Sequence, residues 1–388
     1  MKIKNIEKAA ERIKKAVLDN ERIILYGDSD LDGITSVIIL EETIKNLGGK
    51  VESVFFPDRE NDGYGVNMKA LDILKNKAPA LFITLDLGIG NLKEAIAAKK
   101  IGFDMVIIDH HETLQKKPDV PIIVDPKQKD DSYPFKGLAN AGIVFKLSKE
   151  MLGSGISENL ENSFSELAAL GSIADMVPKV DENEEIIKQG INSLKKTWRP
   201  GLKAFFEILE KYYTFQESVQ KAISAMNSAE TKDYKNNCYF LLTCSDYEEC
   251  NRLANSLIER SKYRQREIKG IAAEVERRIS KKNAESIVFE GDPAWRLTLA
   301  GPVASIVCQK YEKPVFIFKR GVEESCGSVR NPNAVNSVEA MKTCKDILIS
   351  YGGHAVASGF RLKNEDLDKF KTCLISYFKN LPPHHNEF

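Results

Sequence analysis

Ile23-Ile24-Leu25-Tyr26-Gly27 runs directly into Asp28-Ser29-Asp30-Leu31-Asp32-Gly33, and an amphipathic stretch follows as far as Leu47. An apolar strand that ends in alternating acids and opens a helix is one unit of a parallel α/β fold. The arrangement recurs along the chain. Leu81-Phe82-Ile83-Thr84-Leu85 ends in Asp86, and Met105-Val106-Ile107-Ile108 ends in Asp109-His110-His111. A further acid, Asp175, follows Leu170-Gly171-Ser172-Ile173-Ala174. In an open α/β sheet, ligands bind outside the carboxyl ends of the strands. Three such ends bring Asp28, Asp30, Asp32, Asp86 and Asp109 together with His110 and His111 in one crevice. Negative charge so concentrated needs cations. Carboxylate and imidazole with no thiolate nearby suit manganese or magnesium better than structural zinc.

Outward from these strands, the spacing predicts helix over about 4–19, with Ile6, Ala9, Ala10, Ile13 and Val17 on one face. Further strands are predicted at 51–56 and 122–124, and a helix at 91–100. Near-continuous apolar strands between amphipathic helices imply a parallel sheet covered on both faces. From Ala139 to about 228 the pattern is largely helical, and 246–282 reads as one long charged helix or two in line. A second α/β segment begins near Ser286, with strands at 286–290 and 314–319 and helices at 301–311 and 364–379. Within it, Gly327-Ser328-Val329-Arg330 reads as a polar turn after a strand, and Tyr351-Gly352-Gly353-His354 as a glycine-rich turn. Glycines let backbone N–H groups approach an anion, and arginine grips phosphate with two parallel hydrogen bonds.

A chain of 388 residues is the size of two or three domains. Lys+Arg and Asp+Glu are both 56, so any basic surface for nucleic acid must be local. One local cluster is Arg260, Lys262, Arg264, Arg266 and Lys269; the plain alternative is a solvated helix paired with Glu259 and Glu267. The seven cysteines form no C-x-x-C pair and read as reduced thiols of a cytosolic protein. No apolar run is long enough to span a bilayer, and the charged start Met1-Lys2-Ile3-Lys4 is unlike a signal peptide. His384 and His385 fall in a tail that reads as solvated.

Each motif has an ordinary reading. Asp28, Asp30 and Asp32 alone would make an acidic turn that caps a helix. Their spacing also resembles the start of a calcium loop, but the twelfth position from Asp28 is Ile39 and a strand precedes, which excludes an EF-hand. Asp86 alone is a turn residue, and Asp175 alone a helix-end acid. What favours a site is convergence of the four segments. Two metals bridged by carboxylate suit attack on phosphorus and require no serine or cysteine nucleophile.

In this order, D-x-D-x-D-G, the isolated Asp86, Asp109-His110-His111, Asp175 and Gly352-Gly353-His354 resemble the DHH phosphoesterases. Gly27 to Thr35, Pro57-Asp58-Arg59, Gly63-Tyr64-Gly65 and Gly171 to Pro178 are similar to the RecJ single-strand exonuclease branch. The resemblance covers about residues 20–375. It implies a DHH domain over 1–240, a connecting helix over 241–282 and a smaller DHH-associated substrate domain over 283–388. It implies two Mn²⁺ or Mg²⁺ ions on Asp28, Asp30, Asp32, Asp86, His110 and Asp175, with Asp28 in either the first or the second coordination shell. Asp109 would orient an imidazole, His111 would face the scissile phosphate, and Ser328, Arg330, Gly352, Gly353 and His354 would bind phosphate. The implied activity is a cytoplasmic exonuclease that releases mononucleotides from single-stranded DNA or RNA, 5′→3′ as in RecJ, with replication or repair proteins as partners and no membrane. The alternatives are a short-oligonucleotide or cyclic-dinucleotide phosphodiesterase and a non-catalytic replication scaffold. Three departures bear on these. Where RecJ-like chains carry Asn-Ala-Gly-Arg, this chain has Asn227-Ser228-Ala229-Glu230, and the nearby Lys232 lacks a planar fork. It stops after the second domain, without an OB-fold, and aromatics are only 8%. The low aromatic content argues against a long base-stacking track, and both departures argue against processive digestion of long strands.

Overall fold

The computed structural model describes residues 1–112, 116–281, 285–332, 335–353 and 356–379. The chain divides into two compact units, Met1–Lys262 and Tyr263–Phe388.

The first unit opens with α1 (Ile6–Leu18), β1 (Ile23–Gly27), α2 (Leu31–Asn46) and β2 (Ser53–Phe55). Then come α3 (Met68–Leu74), β3 (Ala80–Leu85), α4 (Leu92–Ile101), β4 (Phe103–Ile108) and β5 (Ile122–Val124). The strands form a sheet in the order β2-β1-β3-β4-β5, with every pairing parallel. Side chains alternate across a strand, so this sheet feeds two cores. Ile23, Leu25, Leu81, Ile83, Val106 and Ile108 enter one; Ile24, Tyr26, Phe82, Met105 and Ile107 enter the other. Helices α3 and α4 cover the second face with Ala70, Leu71, Leu74, Ala95 and Ala98. Full burial of each such aliphatic or aromatic side chain contributes roughly 1.5–3 kcal/mol. With both faces dry, the open ends of the strands are where polar groups gather.

Helices α5 (Asn140–Leu152), α6 (Glu158–Ala174), α7 (Asp181–Leu194), α8 (Pro200–Leu209) and α9 (Phe215–Met226) follow. A hairpin of β6 (Thr231–Lys232) and β7 (Lys235–Asn236) and the short α10 (Asn237–Thr243) come next, and the helix α11 (Tyr247–Ile279) contains the boundary between the units.

The second unit holds β8 (Val288–Asp292), α12 (Leu297–Tyr311), β9 (Val315–Arg320), β10 (Glu324–Arg330), α13 (Ser337–Thr343), β11 (Leu348–Gly353), β12 (Ala357–Lys363) and α14 (Leu367–Lys379). Its sheet order is β11-β12-β10-β9-β8; only β8 and β9 run parallel. Four sequence readings change here. Tyr351-Gly352-Gly353 is the end of β11, paired with β12, rather than a turn. Gly327-Ser328-Val329-Arg330 is not a turn but the second half of β10, where pairing on both sides and alternating burial outweigh the turn preference of Gly and Ser. The helix read from Gly301 starts at Leu297, with Pro302 inside it. Pro302 has no N–H to bond the carbonyl four residues back, that of Thr298, and Arg264 Nη2 donates to that oxygen at 3.0 Å. Lastly, Cys344 and Cys373 are joined in a disulfide, against the reading of all seven cysteines as thiols. Their Cα atoms are 6.2 Å apart because α13 and α14 pack in one core, a proximity that a sequence separation of 29 does not reveal. Among the described residues no helix is long and apolar enough to cross a membrane.

Candidate metal centre

The carboxyl ends of β1, β3 and β4 lie side by side in the sheet, which sets Asp28, Asp86 and Asp109 in a row. Backbone bonds continue that row: Asp28 N donates to Leu85 O, Asp86 N to Ile108 O and Asp109 N to Val124 O. Asp30 caps α2, its Oδ1 accepting from Gly33 N at 3.0 Å. A side chain at Gly33 would put Cβ 2.4 Å from Asp28 O, so only glycine lets the helix start this close to the strand end. Asp32, one residue into α2, accepts from Asn140 N at 2.8 Å and Ala141 N at 2.9 Å at the start of α5. Asp175 ends α6.

His110 completes the cluster. Its Nδ1 lies 3.1 Å from Leu138 O, and a carbonyl oxygen only accepts, so Nδ1 carries the hydrogen. In the neutral imidazole Nε2 then presents its lone pair, 3.2 Å from Asp86 Oδ1, 3.7 Å from Asp175 Oδ2 and 3.9 Å from Asp32 Oδ2. Donor atoms in three groups, Asp86/His110/His111, Asp32/His110/Asp175 and Asp28/Asp30/Asp86, lie within 4.8 Å of one another. Asp86 and His110 each belong to two groups; Asp86, with two carboxylate oxygens, can be shared between two cations, whereas His110 has one nitrogen to offer a single ion. Asp86 also has a left-handed backbone, φ 65°, which costs a non-glycine residue on the order of 1 kcal/mol and is commonest where function requires it.

The charge balance fits cations. Burial, then mutual repulsion with Asp175 and Asp30, pushes Asp32 well above the usual carboxylate range; burial and Asp30 do the same to Asp86. Burial and Asp30 push Asp175 up to about 7. These carboxyls resist ionising with protein groups alone, and divalent ions remove that resistance. Oxygen with one or two imidazoles is a donor set for Mn²⁺ or Mg²⁺.

His111 stands apart chemically. Asp109 Oδ1 is 2.8 Å from its Nδ1, while Asp109 Oδ2 accepts from Ile89 N at 3.0 Å. Burial opposes charge on both, yet the pair prevails: His111 rises to about 9 and Asp109 falls to about 2. Tyr64, read in the sequence only as part of a motif, has its hydroxyl 2.9 Å from Asp86 O and 3.1 Å from His111 Nδ1. Arg59 likewise emerges only in three dimensions, where it grips both oxygens of Asp28 and reaches Asp30 Oδ2 at 2.9 Å. Asp28 thus spends its oxygens on Arg59 and on Ser29 N.

In the second unit, register aligns Ser328 with Gly359 and Gly352, and Val329 with Ser358 and Gly353. Arg330 ends β10 beside them, and a Cβ built on Gly301 of α12 would lie 3.1 Å from Arg330 Nη2 and 3.5 Å from Ser328 Oγ. Ser328, Arg330, Gly352 and Gly353 therefore share one sheet end; His354 lies outside the described residues. Four of the five cations of the basic run on α11 have partners within the chain: Arg260 with Ser228 O and Glu230, Lys262 with Glu259, Arg264 with Thr298 O, and Arg266 over the Tyr263 ring; Lys269 is exposed.

Residues 22–172 match the N-terminal domain of the DHH family. The chain is 34% identical over 385 residues to the single-stranded-DNA-specific exonuclease RecJ of Bacillus subtilis, covering 96% of this chain and 47% of that protein. It thus spans about half the length of that relative. A crystal structure of exonuclease RecJ bound to manganese superposes with a TM-score of 0.79 at 26% identity, covering 98% of this chain and 96% of the other. RecJ of Thermus thermophilus in complex with Mn²⁺ gives 0.81 at 25% identity, covering 98% of this chain and 56% of that one.

Proposed function

This chain belongs to the DHH family through residues 22–172, and from that membership and its site we propose a metal-dependent exonuclease of the RecJ type acting on single-stranded DNA. The observation that carries it is His110, held through Nδ1 by Leu138 O with its Nε2 facing Asp86, Asp175 and Asp32 within 3.9 Å. Asp30, Asp32, Asp86, His110 and Asp175 are the residues to hold two Mn²⁺ or Mg²⁺ ions, with Asp28 behind them steadying Arg59. When bound, such ions neutralise charge and polarise the phosphoryl group as Lewis acids.

The chain's own residues do the rest. Leu138 O fixes the His110 ring. Asp109 holds Nδ1–H of His111 and keeps the ring protonated at neutral pH, so that its Nε2–H serves as a donor to a phosphate oxygen. Tyr64 fixes the His111 ring and the Asp86 backbone together. In the second unit, Ser328, Arg330 and the Gly352-Gly353 backbone are suited to a phosphate. Convergence of Asp28, Asp30, Asp32, Asp86 and Asp175 with His110 and His111 weighs against a non-catalytic scaffold. Cytoplasmic location belongs to the same proposal; the Cys344–Cys373 disulfide pulls against it, because disulfides are rare there.

The test is digestion of oligonucleotides labelled at the 5′ or 3′ end, as DNA, RNA and duplex, with Mn²⁺, Mg²⁺ or chelator. Single-stranded DNA should fall to mononucleotides only with metal, and the label released first reads polarity, expected 5′→3′. No cleavage with either metal, or cleavage indifferent to chelator, would overturn the proposal. Cleavage confined to the shortest oligomers would favour the short-oligonucleotide alternative.

A further inference from the structure

The turn where RecJ-like chains carry an arginine lies directly behind the acidic loop. Asn227 ends α9, and its Oδ1 accepts from Leu31 N at 3.2 Å, between Asp30 and Asp32. Asn236, at the end of the β6–β7 hairpin, donates from Nδ2 to Ser29 O at 3.3 Å. Two side chains from one ten-residue segment thus hold the backbone that carries Asp28, Asp30 and Asp32. The segment is itself held from α11. Arg260 Nε donates to Ser228 O at 2.9 Å, and Arg260 Nη2 pairs with Glu230. Position 230, where the resemblance calls for arginine, carries the acid, and the arginine comes from α11 instead.

We propose that Arg260, clasping Ser228 O and Glu230, is a positioning residue that holds the Asn227–Asn236 segment against the metal-binding loop and so sets metal affinity. The inference rests on the proposed metal centre. A purely structural role would have little to act through. The Arg260 and Glu230 side chains are 32% and 46% exposed, and pairs so exposed contribute little to global stability. Groups that orient a ligand from behind change metal affinity by roughly 10–100-fold, whatever their effect on stability. Asn227 meets the loop at Leu31, which lies between two proposed ligands, so a shift of the turn moves both carboxylates.

The experiment is calorimetric titration of the full chain with Mn²⁺, without nucleic acid, on wild type, Arg260→Ala, Arg260→Gln, Glu230→Arg and the exchanged Arg260→Glu/Glu230→Arg protein. Thermal melts monitor folding, and Arg260→Gln, which keeps a neutral donor, serves if the alanine variant does not fold. Each single substitution should weaken Mn²⁺ by about tenfold with little change in melting temperature. The exchange, which rebuilds the ion pair with the charges reversed but carries no donor at position 260 for Ser228 O, should recover part of that loss. Kinetics on a short single strand should show the fall in kcat at low metal, relieved by excess Mn²⁺, with KM for DNA unchanged. Single variants that bind Mn²⁺ as wild type does, or an exchange no better than the singles, would overturn the inference. Wild type that binds no Mn²⁺ overturns the metal centre itself. Wild type that binds Mn²⁺ but leaves DNA intact overturns the nuclease reading and leaves this inference standing.

Discussion

The two units use opposite chemistry at their sheet ends. In the first, an all-parallel sheet buried on both faces gathers carboxylates and imidazoles at its carboxyl edge. In the second, a mostly antiparallel sheet aligns serine, glycine and arginine by cross-strand register. A crowded acidic site is built to attract cations, whereas small residues beside a guanidinium are built to receive an anion. Under the proposed function the contrast separates two tasks, holding metal and placing phosphate, and each should be removable alone.

Removing Asp86 should have the largest effect. Asp86→Ala should cost several kcal/mol of transition-state stabilisation, on the order of 10³-fold in rate, and metal content should fall with it. Arg330→Ala comes next. Its kcat/KM on oligonucleotides should drop on the order of 10²-fold through misplacement of the scissile group, with Mn²⁺ affinity intact and a nitrophenyl phosphodiester less affected. An Arg330→Ala protein that lost its metal would erase the contrast between the units.

How much of this is visible in sequence follows from what each feature depends on. The acids after β1, β3 and β4 are readable because strand order alone carries them to one edge. Arg59 and Tyr64 are not: they lie in a loop without periodicity, and only the fold brings them to Asp28 and His111. Pro57-Asp58-Arg59 and Gly63-Tyr64-Gly65 were the available signal, and it gave no role. In the second unit, Gly327 and Ser328 carry turn chemistry, and nothing local says that two neighbouring strands override it. Gly301-Pro302 misplaced the start of α12 because the carbonyl freed by proline is satisfied by Arg264, from another helix. The Cys344–Cys373 pairing depends on the packing of α13 against α14.

Two smaller effects sharpen the comparison. Arg264→Glu, which removes the bond from Arg264 to the Thr298 carbonyl, should destabilise by about 1 kcal/mol and leave the salt dependence of DNA binding unchanged. A flattened salt slope would return α11 to the nucleic-acid surface. Asp125, just past β5, has one buried oxygen with no hydrogen-bond partner, and burial together with Asp109 raises it to about 7. A carboxyl raised in the fold contributes stability that is complete below its unfolded value near 4 and is lost as pH rises through about 7. Asp125→Asn should therefore gain melting temperature relative to wild type as pH goes from about 4 to above 7. A constant difference across that range would contradict the burial argument.

The most direct measurement of the central claim is electron paramagnetic resonance of the chain titrated with Mn²⁺. Two ions per chain with a spin-coupled signal are expected, and the coupling should disappear in Asp86→Ala, which loses the carboxylate shared between the donor groups. A single uncoupled ion in wild type, or a coupled pair that survives Asp86→Ala, would contradict it.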